Sequence, residues 1–215
     1  MAFRMKGEPR VALTWVGDGA TKHGEAHEAF NFAATLKLPV VFVIQNNQVA
    51  LGTRFDQHHA AHDFRGWGDA YGVPLLSVDG NHVLDVYAAT RLAAAHCRAG
   101  EGPVFIEATT FRMGGHATHD VAEGRRTFAP HLFDYWGRRD PIGLFEEYLA
   151  GGTVDLGGGG EEDLEIRNRA ALQAAEAVVT DEVERAAEDA LQSRADAMPA
   201  PETAAGGVYL SGATG

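Results

Sequence analysis

Four short apolar segments recur along the first half of the chain, each stopped abruptly by glycine or by polar residues. Residues 11–16 end at Gly17-Asp18-Gly19, and residues 40–44 end at Gln45-Asn46-Asn47-Gln48. Residues 74–78 end at Asp79-Gly80-Asn81, and residues 103–108 run into Thr109. Segments this short and rich in β-branched residues read as buried strands. The stretches between them carry helical patterns. Phe30, Ala33, Ala34 and Leu36 give residues 25–37 an apolar face, which stops before Pro39. Residues 63–71 read as a short helix halted by Gly72, and residues 83–99 as an alanine-rich helix. This alternation implies an α/β fold, a parallel sheet with helices on both faces. Ligands bind such sheets beyond the carboxyl ends of the strands. Residues 17–19, 45–48 and 109–119 are therefore expected on one rim.

The pattern changes after residue 120. Residues 122–130 are polar, with Arg125-Arg126 among them, and residues 141–149 read as a short amphipathic helix. Gly157 to Gly160 form a hinge, and residues 164–198 read as one long helix ended by Pro199 and Pro201. The expected organisation is an α/β domain over 1–150, a glycine-rich linker over 151–160, and a C-terminal helical extension with its tail over 161–215. Residues 1–6 read as the end of a helix that began earlier.

Several function classes are excluded. The 215-residue chain has a net charge of −12, and more than half of that excess lies between residues 161 and 196. A nucleic-acid-binding surface needs the opposite sign. The longest apolar runs, such as residues 39–44, are far below the ~20 residues that span a bilayer. Residues 1–10 have no apolar core and no small-residue cleavage site, so they do not read as a signal peptide. The single cysteine, Cys97, cannot form an internal disulfide, which points to a reducing, cytoplasmic setting. Its alanine-rich helix suggests packing rather than catalysis.

The turn Gly17-Asp18-Gly19-Ala20-Thr21-Lys22-His23-Gly24 is the first chemical candidate. It is not a Walker loop, because Glu25-Ala26 follows Gly24. It is not a dinucleotide fingerprint, because Lys22 stands at the third glycine position. Taken alone it also fits a plain turn. Asn46-Asn47 adds to it, since one helix and one strand separate Asp18 from Asn47 and return the chain to the same rim. A carboxylate and an amide oxygen there are hard ligands suited to Mg²⁺. The turn amides and the following helix start suit phosphate. His58, His59 and His62, like His23 and His27, have helical spacing but no cysteine and no HExxH pattern. They read as solvated histidines rather than a zinc site.

Gly17-Asp18-Gly19 through Asn46-Asn47 resembles the thiamine-diphosphate-binding motif. The intervening Gly24-Glu25-Ala26-His27-Glu28-Ala29-Phe30-Asn31-Phe32-Ala33-Ala34 resembles the alpha subunit of the decarboxylating component of 2-oxo acid dehydrogenases. Phe111-Arg112-Met113-Gly114-Gly115-His116-Ala117-Thr118-His119-Asp120, with Arg125-Arg126 downstream, resembles that family's active-site loop. The resemblance extends from about Met1 to near Tyr209.

That resemblance implies thiamine diphosphate and Mg²⁺ as cofactors. Asp18, Asn47 and the Val49 carbonyl would bind the metal. Gly17, Asp18, Gly19, Ala20, Asn47 and His116 would hold the cofactor. His116 would also serve the reacting centre as catalytic residue, while Arg112, Asp120 and Arg126 would order its loop. Relatives carrying a regulatory serine have it where Ala117 stands here, so phosphorylation control at that position is not expected. The implied reaction is oxidative decarboxylation of a 2-oxo acid, with the acyl group passing to a lipoyl domain of the acyltransferase component. The implied assembly contains a beta subunit, commonly as two alpha and two beta chains. Residues 26–27 and 31–34 lean towards branched-chain 2-oxo acids, with pyruvate as the alternative. Relatives carry a substantial segment before the first strand. The chain is accordingly expected to be the C-terminal majority of a longer subunit, and to bind the cofactor weakly by itself. A noncatalytic fragment that keeps the beta-subunit interface is the competing expectation.

Overall fold

In the computed structural model, residues 1–117, 122–151 and 169–205 are described. They fall into two units, Met1–Glu147 and Tyr148–Gly215.

The first unit opens with a single-turn helix α1 (Ala2–Met5) and strand β1 (Ala12–Gly17). Helix α2 (Gly24–Thr35) leads to β2 (Val40–Asn46). A small hairpin follows, β3 (Val49–Ala50) with β4 (Thr53–Arg54), and passes directly into α3 (Phe55–His58). Then come α4 (Gly66–Tyr71), β5 (Leu75–Asp79), α5 (Val83–Arg98) and β6 (Val104–Thr109). Beyond the sheet lie α6 (Glu123–Thr127), α7 (Pro130–Gly137) and α8 (Pro141–Gly151). Helix α9 (Arg169–Asp196) belongs to the second unit. The expected hinge at residues 157–160, and residues 164–168 of the expected long helix, lie outside the described residues.

The four long strands form one parallel sheet in the order β1-β2-β6-β5. Residues of β2 alternate between its two faces. Phe42 and Ile44 pack with Phe30 and Ala33 of α2, Phe55 of α3 and Phe64. Val41 and Val43 pack with Ala89, Ala93 and Cys97 of α5. The sheet therefore carries helices on both faces, as the strand and helix alternation implies.

The elements differ from the sequence reading in several respects. Strand β2 runs through Gln45 and Asn46 rather than stopping at Ile44, because polar residues still pair there. Gln45 faces Gly17 and Ala108, and Asn46 faces Thr109. Helix α4 starts at Gly66 rather than at residue 63. The Asp63 carboxylate accepts the Arg65 N–H at 2.9 Å, which holds the preceding residues in a turn. The hairpin, α3, α6 and α7 are additional elements, all too short or too polar to show a period. Gly72 ends α4 with φ of 63°, a left-handed cap suited to glycine.

Cys97 is buried, and its Sγ–H donates to the Val40 carbonyl at 3.6 Å. Burial pushes its thiol above the ordinary cysteine value. A thiol reagent is therefore expected to modify Cys97 only as fast as the sheet opens, and rapidly in denaturant. Stoichiometric labelling of the folded chain within seconds would contradict this packing.

Candidate active site at the carboxyl rim

The register sets the site. Gly17 pairs with Gln45, and Asn46 pairs with Thr109, so the segments after β1, β2 and β6 leave the sheet side by side. Asp18 N–H donates to the Gln45 carbonyl at 3.2 Å, and Thr110 N–H donates to the Asn46 carbonyl at 2.9 Å. Arg112 N–H reaches the Asn47 carbonyl at 3.4 Å. One rim thus collects Asp18, Asn47, Val49 and Arg112.

Asp18 is buried, only 2% exposed, and its Oδ2 has no hydrogen-bond partner. Burial pushes its carboxyl above the ordinary aspartate range, opposed by the Gly19 backbone N–H and by His58. Thr21 Oγ–H donates to the Asp18 carbonyl at 2.6 Å and tightens the turn. Gly19 is required by a close approach. A Cβ there would lie 2.3 Å from the Ala50 Cβ, so a side chain would push the turn off the hairpin. Gly17 and Ala20 flank this point in the same turn.

Asn47 starts the hairpin, with its Oδ1 accepting the Val49 N–H at 3.2 Å. Gln48 and Leu51 take left-handed backbone conformations, φ 72° and 52°, to complete it. Asn46 has a different task. Its Nδ2–H donates to Glu107 Oε1 at 3.0 Å, and its Oδ1 accepts from Gln48 Nε2–H at 3.1 Å. Glu107 is buried and also accepts from Ser77 Oγ–H at 2.7 Å and from the Phe64 N–H at 3.4 Å. This one carboxylate ties β2, β5, β6 and the segment before α4 beneath the rim. Neither Asn46 nor Glu107 was assigned a role from sequence; an acidic residue inside a buried strand was the available signal.

The loop after β6 is organised by Glu123 of α6, a further residue missed in the sequence. Its Oε2 accepts the His116 backbone N–H at 2.7 Å and lies 3.2 Å from Arg112 Nη2. Arg112 also donates to the carbonyls of Gly114 at 3.0 Å and Leu51 at 2.8 Å, joining the loop to the hairpin. Arg112 thus joins the loop, the hairpin and α6, with Glu123 as its acidic partner. Arg126 sits on α6, where its N–H donates to the Ala122 carbonyl. Asp120 lies outside the described residues. The His116 side chain is exposed on the loop.

The His116 N–H, followed by Arg112, holds the Glu123 carboxyl below the usual glutamate value of 4.5. A carboxylate with a lowered folded pKa keeps its contribution above the ordinary value and loses it as pH falls through the lowered one. The loop is therefore expected to be ordered at neutral pH and to loosen only as the pH falls below the ordinary glutamate value. In Glu123→Gln, hydrogen exchange at the His116 amide should accelerate several-fold at neutral pH. Unchanged exchange would show that Glu123 does not hold the loop.

The histidines correct the sequence reading. His58 and His59 are not solvated. The His58 ring nitrogens are buried, and Nε2 lies 3.6 Å from Asp18 Oδ2. His59 packs between the Phe55 and Phe64 rings, with centroids at 4.8 and 4.6 Å, and its Nδ1 meets Lys22 Nζ. Lys22 also lies over the Phe64 ring at 4.9 Å, and burial lowers its pKa. His62 is exposed as expected. Among the described residues, no group of three or more His, Cys, Asp or Glu is clustered as a metal site.

The family model for the dehydrogenase E1 component matches residues 1–197. The chain belongs to the dehydrogenase E1 component family. It is 42% identical over 149 residues to the 3-methyl-2-oxobutanoate dehydrogenase subunit alpha of Mycobacterium tuberculosis, covering 69% of this chain and 40% of that one. It is 41% identical over 150 residues to the pyruvate dehydrogenase E1 component subunit alpha of Acholeplasma laidlawii, covering 69% and 43%. A third relative is the 2-oxoisovalerate dehydrogenase subunit alpha, mitochondrial, of Caenorhabditis elegans, 41% identical over 150 residues, covering 69% and 34%. The chain thus spans about two fifths of the length of the curated relatives it matches. No helix among the described residues is long and apolar enough to cross a membrane.

Proposed function

We propose that this chain carries the metal- and diphosphate-binding half of a thiamine-diphosphate-dependent 2-oxo acid decarboxylating site. The supporting observation is Asp18, a buried carboxylate with an unpartnered oxygen at the carboxyl rim of a parallel sheet. A lone buried carboxylate oxygen is costly unless a cation or donor meets it. The donor chemistry fits Mg²⁺, with Asp18, Asn47 Oδ1 and the Val49 carbonyl as ligands, and phosphate oxygens completing the shell. The turn from Gly17 through Asp18 and Gly19 to Ala20, together with Asn47, would hold the diphosphate.

When bound, thiamine diphosphate supplies the carbon nucleophile and the electron sink for decarboxylation. The chain's own residues bind and orient it. His116 stands on a loop joined by Arg112 and Glu123, where its imidazole would hold the diphosphate and could move a proton when the cofactor is bound. Asp120 and Arg126 extend the ordering of that loop. The acyl product passes to the lipoyl domain of the acyltransferase component, and a beta subunit completes the site. Branched-chain 2-oxo acids are the favoured substrates and pyruvate the alternative, matching the two groups of relatives. A cytoplasmic location rests on the lone reduced cysteine.

The test is co-expression with a beta subunit, followed by calorimetric titration of thiamine diphosphate with and without Mg²⁺. Decarboxylation of branched 2-oxo acids and of pyruvate is then assayed. Metal-dependent cofactor binding with turnover supports the reading. A stable complex that binds cofactor without turnover points to a noncatalytic scaffold. A complex that ignores both cofactor and metal overturns the reading.

A further inference from the structure

A recess of about 360 Å³ lies between the loop after β6 and helices α6 and α7. Met113, Arg125, Phe128, Pro130, Phe133 and Asp134 line it. Its volume falls in the range of small-molecule sites. The apolar part is held in place by its neighbours. Phe111 is buried, and its ring centroid lies 4.7 Å from that of Phe128 and 5.3 Å from that of Phe133. It also stacks on Trp136 at 5.8 Å. Phe128 N–H donates to the Gly124 carbonyl at 3.0 Å and closes α6. Pro130 opens α7, where its fixed φ suits the first helical position. Met113 reaches α7, since a Cβ on Gly137 would lie 3.7 Å from its Cε. Its side chain remains half exposed, an adaptable thioether at the edge of the recess.

Two charges of opposite sign stand in this apolar setting. Arg125 comes from α6 and Asp134 from α7, and both are exposed. Among the described residues, neither side chain makes an ion pair, with the other or elsewhere. Opposite charges that line one recess without touching leave room for a ligand between them. Glu123 does not compete for Arg125, because it is held by Arg112 and the His116 N–H. Each charge excludes a class of ligand. A simple carboxylate meets Arg125 but brings its own charge to Asp134. A simple amine meets Asp134 but repels Arg125. A zwitterion with both groups on one carbon satisfies the two together. An apolar tail on that carbon covers Met113, Phe128 and Phe133.

We propose that this recess binds an apolar α-amino acid, with its carboxylate on Arg125, its ammonium on Asp134 and its side chain on the surface of Met113, Phe128 and Phe133. The occupant bridges the loop, α6 and α7. Glu123, which holds the His116 N–H, lies on the same short helix as Arg125, so occupancy braces the segment that carries His116. The site shares no residue with the metal and diphosphate positions and stands independently of them.

The test titrates the whole 215-residue chain, without cofactor, with L-leucine by calorimetry. Three probes divide the ligand into its parts. 4-Methylpentanoate lacks the ammonium, 3-methylbutylamine lacks the carboxylate, and glycine lacks the tail. Leucine should bind saturably with a Kd on the order of 0.1–10 mM, about fivefold or more tighter than each of the three. Arg125→Gln should abolish the preference over the amine, and Asp134→Asn the preference over the acid. Both positions are exposed, so neither variant threatens folding. Hydrogen exchange then locates the ligand. Leucine should slow amides within residues 111–117 and 123–137 by about twofold or more. Absence of saturable leucine binding overturns the proposal. So does leucine bound no better than its analogues, affinity unchanged in both variants, or protection confined to other parts of the chain.

Discussion

Replacing Glu107 by alanine is expected to lower the stability of the α/β unit by about 3–5 kcal/mol. The carboxylate is the shared acceptor for Asn46 Nδ2–H, Ser77 Oγ–H and the Phe64 N–H. Alanine leaves the Asn46 and Phe64 donors in an interior that water does not reach, while Ser77 lies exposed on the edge strand and can turn to solvent. A donor orphaned in this way costs about 1–3 kcal/mol. Glu107 itself is buried between the two central strands, so the substitution also opens a cavity. A loss of this size corresponds to a fall of about 10–15 °C in melting temperature for a unit near 150 residues. Glu107→Gln should cost far less, because an amide keeps one acceptor and the serine hydroxyl can turn to accept instead. Thermal melts of both variants decide the matter. If Glu107→Ala melts within 2 °C of wild type, the network does not support the sheet. The consequence reaches the site through Asn46, whose side chain also receives Gln48 at the start of the hairpin.

Asp18→Asn should have the largest functional effect, with metal-dependent thiamine diphosphate binding falling on the order of 100-fold or more. The amide keeps the shape of the side chain and removes its charge, so a metal bound there as proposed would lose its anionic ligand. The same change should stabilise the metal-free chain by about 0.5–2 kcal/mol, because a buried carboxylate without a partner opposes folding. The pH dependence follows from the raised carboxyl pKa of the folded state. Between the ordinary aspartate value of 3.8 and the raised one, the folded state holds more protons than the unfolded state. This group therefore makes the metal-free protein less stable as pH rises through that window, and the slope should disappear in Asp18→Asn. Calorimetric binding and melts over pH 4–7 read both effects. Equal cofactor affinity in variant and wild type would remove Asp18 from the metal site, whatever the melts show.

The legible part of the molecule was local. The four strands and helices α2 and α5 follow from apolar periodicity and from the residues that break it, both properties of neighbouring positions. The shared rim follows from parallel strands, whose carboxyl ends must face one way. The Asp18 turn and the Asn47 hairpin could be placed there before any side chain was located. Arg112 was singled out by the motif it sits in, but its contacts with Glu123 and Leu51 were not legible.

Partners distant in sequence were decided by tertiary structure. Glu107 meets Asn46 only because β2 and β6 pair in one register. Glu123 meets His116 and Arg112 only because α6 folds back beneath the loop, with Gly124 close to the Gly114 carbonyl. His58 and His59 looked like surface residues because their segment is short and polar. The hairpin turns that segment inward, placing one ring beside Asp18 and the other against Lys22. Sequence by itself determined the strands, the crossover helices and the rim, because backbone periodicity and turn chemistry act over a few residues. Register and chain reversal determined which charges meet at that rim, because those contacts join positions tens of residues apart.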